Sequence, residues 1–375
     1  MKRTDRDAPA TDAATDGGVE ASPFDTVSDV ERTRNEKYRR LFDERVAAPL
    51  RIIWNDWRGR IGFLLTLPYV AMGLIAVLSQ SSLAEPVASM SVAGYHPFAL
   101  FVVDPPLLNA GPILLQPFEQ LAFPLGTTRS GVDLLSQTIY ATLPMLQMIT
   151  SGAVFSIVVA SVVGTVSGYK GGMTDEVLMT FTDIALNIPG LPLTVVVVTV
   201  IETQSAVVLG IVLTINSWAG LARAIRSQVL TIREESYVEA SRTMGMPTRY
   251  IVREDILPNL MPYITINFMN AARGVIYGSV GLYFIGILPR TGENWGLMLK
   301  VAYDEGALTN PERLHWLVIP LVVIMGLSFA LILLAQSLDR VFNPRVRARH
   351  AKTIESDGSA AEDTEAAAAK SGGFQ

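Results

Sequence analysis

Residues 233–262 have the sequence REESYVEASRTMGMPTRYIVREDILPNLMP, a charged stretch between two long apolar blocks. Residues 236–244 contain neither Gly nor Pro, which predicts a short helix, and Gly245 suits the end of that helix. A second short helix is predicted over residues 249–256, before Pro258. Two short helices joined by a glycine turn form a compact unit that can dock to a partner. A solvated connector between membrane helices is the alternative.

The composition excludes several classes of protein. Half of the 375 residues are hydrophobic and 17% are charged, against roughly 25% charged residues in soluble domains. The chain has no cysteine, which excludes a disulfide framework and a thiolate nucleophile or metal site. The three histidines are scattered along the sequence, so we expect neither a metal centre nor a cofactor.

Six apolar segments predict an all-α protein that crosses a membrane six times. A helix needs roughly 20 apolar residues to cross a hydrocarbon core of about 30 Å, and each segment is close to that length. The predicted spans cover residues 61–79, 143–168, 177–201, 206–224, 263–288 and 316–338. Small residues in the second span favour close helix packing, and Pro189 and Pro192 are expected to kink the third.

The polar segments divide the remainder of the chain. Residues 1–30 and 345–375 have the composition of disordered tails. Residues 31–60 form a basic, amphipathic segment that leads into the first span at residues 61–79. An external loop is expected over residues 80–140, and a core of five spans, with the 233–262 loop between two of them, over residues 141–344.

The distribution of Lys and Arg predicts the orientation in the membrane. Nine of these residues lie in residues 32–60 and six in residues 223–253. The loops expected on the opposite side contain only four, namely Arg129, Arg290, Lys300 and Arg313. Because basic residues concentrate on the cytoplasmic side, both termini and the 233–262 loop are predicted to be cytoplasmic, in a multi-pass protein of the cell membrane.

The 233–262 loop also carries a pattern that a known family shares. Glu239, Ala240 and Ser241 are followed by Gly245, and the pair Leu257 and Pro258 comes twelve residues after that glycine. This spacing resembles the EAA loop of ABC-importer permeases. Further matches occur in order along the chain: Gly126, Thr127, Gly131, Asp133 and Ser136; then Gly168, Gly171, Gly172 and Asp175; then Asp183 and Pro189; and finally Trp295, Gly296 and Met298. Over about residues 54–344 the chain is similar to the C-type permease subunit of dipeptide and oligopeptide importers.

Two positions in the segment before the second span depart from the family pattern. Thr128 stands where the family has Asp, and Val132 stands where it has Arg. A charge pair made there in relatives is therefore not expected in this chain.

The resemblance implies a type I ABC-importer permease fold and a permease subunit that forms half of a translocation path. Its implied partners are a second, B-type permease, two cytoplasmic ATP-binding subunits, an external binding protein and the lipid bilayer, and no nucleic acid. The resemblance assigns ATPase coupling to Glu239, Ala240, Ser241, Gly245, Leu257 and Pro258. The chain should not be an enzyme itself, which agrees with its lack of a Gly-rich phosphate-binding loop ending in Lys and Ser or Thr. Peptides, nickel and oligosaccharides remain open as cargo.

Polar residues within the predicted spans are the candidates for the translocation path. Asn216, Asn267, Asn270 and Arg273 could line it, although asparagines more often join neighbouring helices. Asp183 is expected to have a structural role near the end of its span. Because an exposed charge costs at least about 2.5 kcal/mol at the membrane centre, both charged residues must face protein, water or each other.

An ion- or proton-coupled secondary transporter is the alternative function. Such proteins carry ionisable groups near the middle of the membrane and often have repeated halves. Here only Asp183 and Arg273 qualify, and no internal repeat is evident. A membrane enzyme would need a Ser/His pair, an Asp pair or a His-Glu-x-x-His helix in a span, and none occurs.

Overall fold

The structure is a computed structural model that describes residues 54, 56–79, 112–289 and 292–342. Within these ranges the protein is helical and forms no β-strand, so the expected all-α class is confirmed. The helices are α1 (Trp57–Ser79), α2 (Leu134–Lys170), α3 (Gly172–Asn187), α4 (Gly190–Ile201), α5 (Ala206–Leu213), α6 (Trp218–Ile232), α7 (Ser236–Thr243), α8 (Thr248–Tyr250), a π-helical segment (Ile251–Ile256), α9 (Leu257–Phe284), α10 (Trp295–Asp304) and α11 (Leu314–Phe342). The two predicted tails, most of the 31–60 segment and residues 80–111 of the predicted loop lie outside the described ranges.

Three of the described helices are by themselves long and apolar enough to cross a membrane, namely α1, α2 and α11. The pairs α3 with α4 and α5 with α6 also meet this test when each bent pair is taken as one span. Among the described residues this gives up to five spans, and the six-span count is not confirmed. Helix α9, in the region of the predicted fifth span, is not among them, although its 28 residues reach about 42 Å.

Helix α2 begins earlier than the sequence predicts. Its first residue is Leu134, which lies inside the predicted external loop over residues 80–140 and before the predicted span at residues 143–168. Asp133 caps the helix, because its carboxylate accepts hydrogen bonds from the backbone N–H groups of Leu135 (3.2 Å) and Ser136 (2.9 Å). This cap starts the helix at a polar position that hydropathy alone does not detect.

The third and fourth predicted spans are each divided into two helices. Helices α3 and α4 are bent by 86°, and α5 and α6 by 60°. At the first break, Ile188 and Pro189 have extended backbone, and for Ile188 the reason is that proline disfavours helical geometry in the residue before it. The kink predicted for the third span is therefore a complete break. The fourth span breaks at residues 214–217, and α6 continues to Ile232.

Glycines bring α2 into backbone contact with α5 and α6. A Cβ atom on Gly152 would lie 2.5 Å from the carbonyl oxygen of Gly210, and one on Gly164 would lie 2.5 Å from that of Ala222. Real side chains do not allow such distances, so these positions require glycine for steric reasons. The continuous helix α2 therefore packs against both α5 and α6, the two halves of the fourth predicted span.

Candidate functional site

The 233–262 loop folds into two helical pieces joined at Gly245. Helix α7 ends at Thr243, and Gly245 follows with a φ of 74°, the left-handed conformation that favours glycine. The N–H of Gly245 donates to the carbonyl of Arg242 (3.0 Å), and that of Met246 donates to the carbonyl of Ser241 (3.1 Å). These two bonds form a Schellman cap, as the sequence around Gly245 predicts.

The second piece does not stop where the sequence predicts. Residues 249–256 were expected to form a helix that ends before Pro258, but the π-helical segment Ile251–Ile256 leads directly into α9. Pro258 is the second residue of α9, and the helical backbone continues through it although its missing N–H group leaves one helical hydrogen bond unmade. The loop is therefore continuous with the next long helix, and a displacement of the loop would act directly on α9.

Apolar residues fix the inner side of the loop to the helices behind it. Val238 of α7 and Ile256 are fully buried, in one cluster with Ile225 and Val229 of α6. Burial of an aliphatic side chain contributes roughly 1.5–3 kcal/mol. The inner side of the loop is thus packed against the rest of the fold.

Large side chains occupy the outer side of the same loop. Four of them are exposed around the glycine turn: Tyr237, Met244, Met246 and Tyr250. Partial burial of the Tyr237 side chain and the nearby carboxylates of Glu235 and Asp255 raise the pKa of its phenol. Exposed aromatic and methionine side chains grouped on one surface are typical of a protein interface.

The six predicted coupling residues lie on this loop with different exposures. Glu239, Ala240, Gly245 and Pro258 are exposed, whereas Ser241 and Leu257 are partly buried. Glu239 borders an open groove of about 770 Å³ together with Lys170, Arg233 and Arg242. Within the described residues its carboxylate accepts no hydrogen bond from a backbone amide, so local capping is not its role there. The sequence alone gave no signal that Lys170 and Arg242 would lie beside Glu239.

An ion pair joins the first turn of α3 to α6, the helix that leads into the loop. The carboxylate of Asp175 accepts from Arg226 Nε at 2.6 Å, and it also pairs with Arg226 Nη2 and with the hydroxyl of Ser167. Arg233 Nη1 donates to the carbonyl of Gly168 at 2.9 Å. The forked geometry of arginine makes such a two-bond pair specific, and it fixes α6 against α2 and α3.

We expect Arg226→Gln to lower the free energy of unfolding by about 2 kcal/mol, because Asp175 loses both bonds while it remains mostly buried. Thermal unfolding in detergent measures this effect. Arg223→Gln is the matched control, since the Asp183–Arg223 pair is half exposed on both sides and should contribute little. Equal losses in the two variants would contradict the role of the Asp175–Arg226 pair.

The two charged residues predicted within spans have different surroundings. Asp183 pairs with Arg223 and not with Arg273, which agrees with a structural role for Asp183. The guanidinium of Arg273 lies 5.9 Å from the ring centre of Tyr277, and its buried Nε has no hydrogen bond among the described residues.

The four predicted path residues do not form one group. Asn267 and Asn270 of α9 border a cavity of about 310 Å³ beside the break between α5 and α6. Asn216 lies in that break, but its Nδ2 donates to the carbonyl of Ile188 at 3.0 Å and so joins the two helix breaks. Arg273 does not border the cavity. The cavity has three other polar lining residues, Ser156, Thr214 and Ser217, which the sequence alone did not single out. A short polar run in the fourth span was a signal for Thr214 and Ser217.

In the segment before α2, hydrogen bonds join the two positions that depart from the family pattern. The N–H of Val132 donates to the hydroxyl of Thr128 at 3.1 Å, and the N–H of Thr128 donates to the carbonyl of Val132 at 2.9 Å.

Nearby, Gln137 Nε2 donates to Glu293 at 2.8 Å, and burial raises the pKa of the Glu293 carboxyl. Among the described residues no group of three or more His, Asp or Glu side chains could hold a metal ion.

Comparison with known proteins identifies a family and several relatives. Residues 160–348 match the family described as binding-protein-dependent transport system inner membrane component. The chain is 30% identical over 246 residues to the oligopeptide transport system permease protein OppC of Haemophilus influenzae, which covers 65% of this chain and 76% of that relative. It is 29% identical over 225 residues to the dipeptide transport system permease protein DppC of Bacillus subtilis, with 59% and 68% covered. OppC of Lactococcus lactis subsp. cremoris is 30% identical over 230 residues, with 60% and 76% covered.

Proposed function

The chain belongs to the family of binding-protein-dependent transport system inner membrane components, and we propose that it forms half of the path of an ATP-driven peptide importer. The family assignment makes it a multi-pass membrane permease that works with partner subunits. Peptide cargo is supported by the names of its relatives, which are dipeptide and oligopeptide permeases. Its partners would be a B-type permease, two cytoplasmic ATP-binding subunits and an external binding protein.

The 233–262 loop is the proposed site of coupling to the ATP-binding subunits. The observation that supports this most directly is its division into a buried side, with Val238, and an outer side with exposed Tyr237, Met244 and Tyr250. Small Ala240 permits close approach of a partner, and the carboxylate of Glu239 is free to pair with a basic residue there. Because the loop continues into α9, force applied to this surface reaches a helix that borders the membrane cavity.

The proposed orientation has the loop and both termini in the cytoplasm. The excess of Lys and Arg in residues 32–60 and 223–253 supports it. We assign residues 1–30 and 345–375 to cytoplasmic tails, and the loop predicted over residues 80–140 to the external side. Like the family's other members it would transport without hydrolysing ATP itself.

The absence of cysteine allows a direct test of the coupling surface. Met244 is 68% exposed, so a Met244→Cys variant carries one accessible thiol to which a photo-crosslinker can be attached in native membranes. We expect it to capture an ATP-binding subunit in a manner that changes with added ATP. Leu308→Cys is the matched control. Leu308 is 65% exposed and lies between Lys300 and Arg313, in a loop expected on the external side, so this variant should not capture that subunit.

Two results would contradict the proposal. If the Met244→Cys variant inserts well but captures only lipid or nothing, the loop has no ATPase partner, and a secondary transporter becomes the better function. If Leu308→Cys captures the same ATP-binding subunit, the proposed orientation is wrong.

A further inference from the structure

The break between α5 and α6 opens into a cavity whose other wall is α9. The cavity has a volume of about 310 Å³, at the lower end of the range of roughly 300–1,000 Å³ for small-ligand sites. Gly274 borders it, and no atom lies within 4 Å of the place where a side chain would begin at that glycine. The cavity is therefore open on this side of α9, with room for a molecule to enter.

The chemistry of the lining is polar but uncharged. Five of the nine lining residues carry a hydroxyl or an amide: Ser156, Thr214, Ser217, Asn267 and Asn270. None of the nine is ionisable. Polar groups at membrane depth persist where they face protein or a water-filled cavity. Such a lining contributes hydrogen-bond donors and acceptors without selecting for charge.

Part of this hydrogen-bonding capacity is already used inside the protein. The Thr214 hydroxyl lies 3.1 Å from the carbonyl oxygens of both Gly152 and Gly210, and Asn267 Nδ2 donates to the carbonyl of Tyr263 at 2.8 Å. The Asn267 side-chain oxygen remains able to accept. In the part of the chain that the structure describes, no side-chain hydrogen bond involves Ser156 or Asn270. The cavity thus keeps a free amide, a free hydroxyl and a free carbonyl oxygen.

We propose that this cavity binds neutral hydrogen-bonding groups of the cargo, namely the main-chain amides of a peptide, and makes no selection by side-chain charge. The inference rests on the proposed function and adds to it the chemistry that the path recognises. An amide side chain both donates to and accepts from a peptide group, and every peptide carries that group whatever its sequence. The hydroxyl groups of an oligosaccharide share this chemistry, so the test must separate the two kinds of cargo.

The test uses the complete transporter in proteoliposomes with tripeptides that contain either lysine or glutamate. The wild type should import both at similar rates. Asn270→Asp adds a negative charge to the neutral cavity and should shift the ratio of uptake about tenfold towards the lysine peptide, and Asn270→Lys should shift it in the opposite direction. Asn187→Asp is the matched control, since Asn187 is exposed and outside the cavity, and its ratio should not change.

A second measurement separates peptide from oligosaccharide. N-methylation of the tripeptide's main-chain amides should lower wild-type uptake about fivefold, and a trisaccharide should not compete. If wild-type uptake of peptides occurs but the Asn270 variants keep the wild-type ratio, this inference is wrong while the proposed function stands. If the trisaccharide competes and N-methylation has no effect, the peptide assignment of the cavity is wrong. If the wild type imports no peptide, the proposed function itself fails.

Discussion

Replacing Gly245 with valine should reduce coupled uptake at least about tenfold, while the protein remains inserted in the membrane. The φ of 74° at Gly245 is unfavourable for most L-residues by roughly 1–2 kcal/mol, and most of all for a β-branched one. No atom lies within 4 Å of the position that a Cβ would take, so the effect comes from the backbone and not from a clash. The valine would break the cap between α7 and the second helical piece and displace Met244 and Met246.

Uptake and cargo-stimulated ATP hydrolysis, measured together in proteoliposomes, check this expectation. Gly245→Asn is the matched control, because asparagine adopts the left-handed conformation at low cost and the site has room for its side chain. It should keep most of the uptake. If the asparagine variant is as inactive as the valine variant, the backbone conformation of Gly245 is not what coupling requires.

Gly210→Ala should lower the free energy of unfolding by about 1–3 kcal/mol or more and prevent assembly of the transporter. A Cβ at this position would overlap the carbonyl oxygen of Met148 and the hydroxyl of Ser151, so α5 would have to move away from α2. The carbonyl oxygen of Met148 belongs to the backbone of α2, so no side-chain rearrangement can relieve that overlap. Thermal unfolding of the purified protein in detergent measures the loss.

The control for this prediction is another glycine within a helix. A Cβ on Gly220 of α6 would have its nearest neighbour, Leu186, at 3.8 Å, an ordinary contact distance. Gly220→Ala should therefore be neutral or slightly stabilising, by up to about 1 kcal/mol, because alanine favours the helix. An equal loss of stability in both variants would show that helix glycines matter here for a reason other than close contact.

The 233–262 loop is the part of the structure that the sequence predicts best. The helix over residues 236–243, the turn at Gly245 and the cap after it depend on backbone preferences of neighbouring residues. The second piece was predicted less well, because the sequence predicts a stop before Pro258 and the helical backbone instead continues through it into α9.

The residues of the candidate path occupy positions that the sequence alone does not reveal. Asn270 and Arg273 lie within one turn of α9, yet the first borders the cavity and the second stacks on Tyr277. Asn216 was grouped with them because it is polar within a span, but it joins the break at Ile188. These roles depend on the direction in which each side chain points from its helix and on the element that it faces. Neither can be read from the neighbouring positions in the sequence.

The sequence by itself determined the helical class, the apolar segments, the glycine cap of the loop and the resemblance to permeases of ABC importers. These features follow from composition, from hydropathy over about 20 residues and from the preferences of single residues such as Gly245. Only the tertiary structure decided the angles of the helix breaks, the cavity between α5, α6 and α9, and the pairing of Asp175 with Arg226. The physical reason is distance along the chain: Asp175 and Arg226 are 51 residues apart, and such contacts form only when packed helices bring their side chains together.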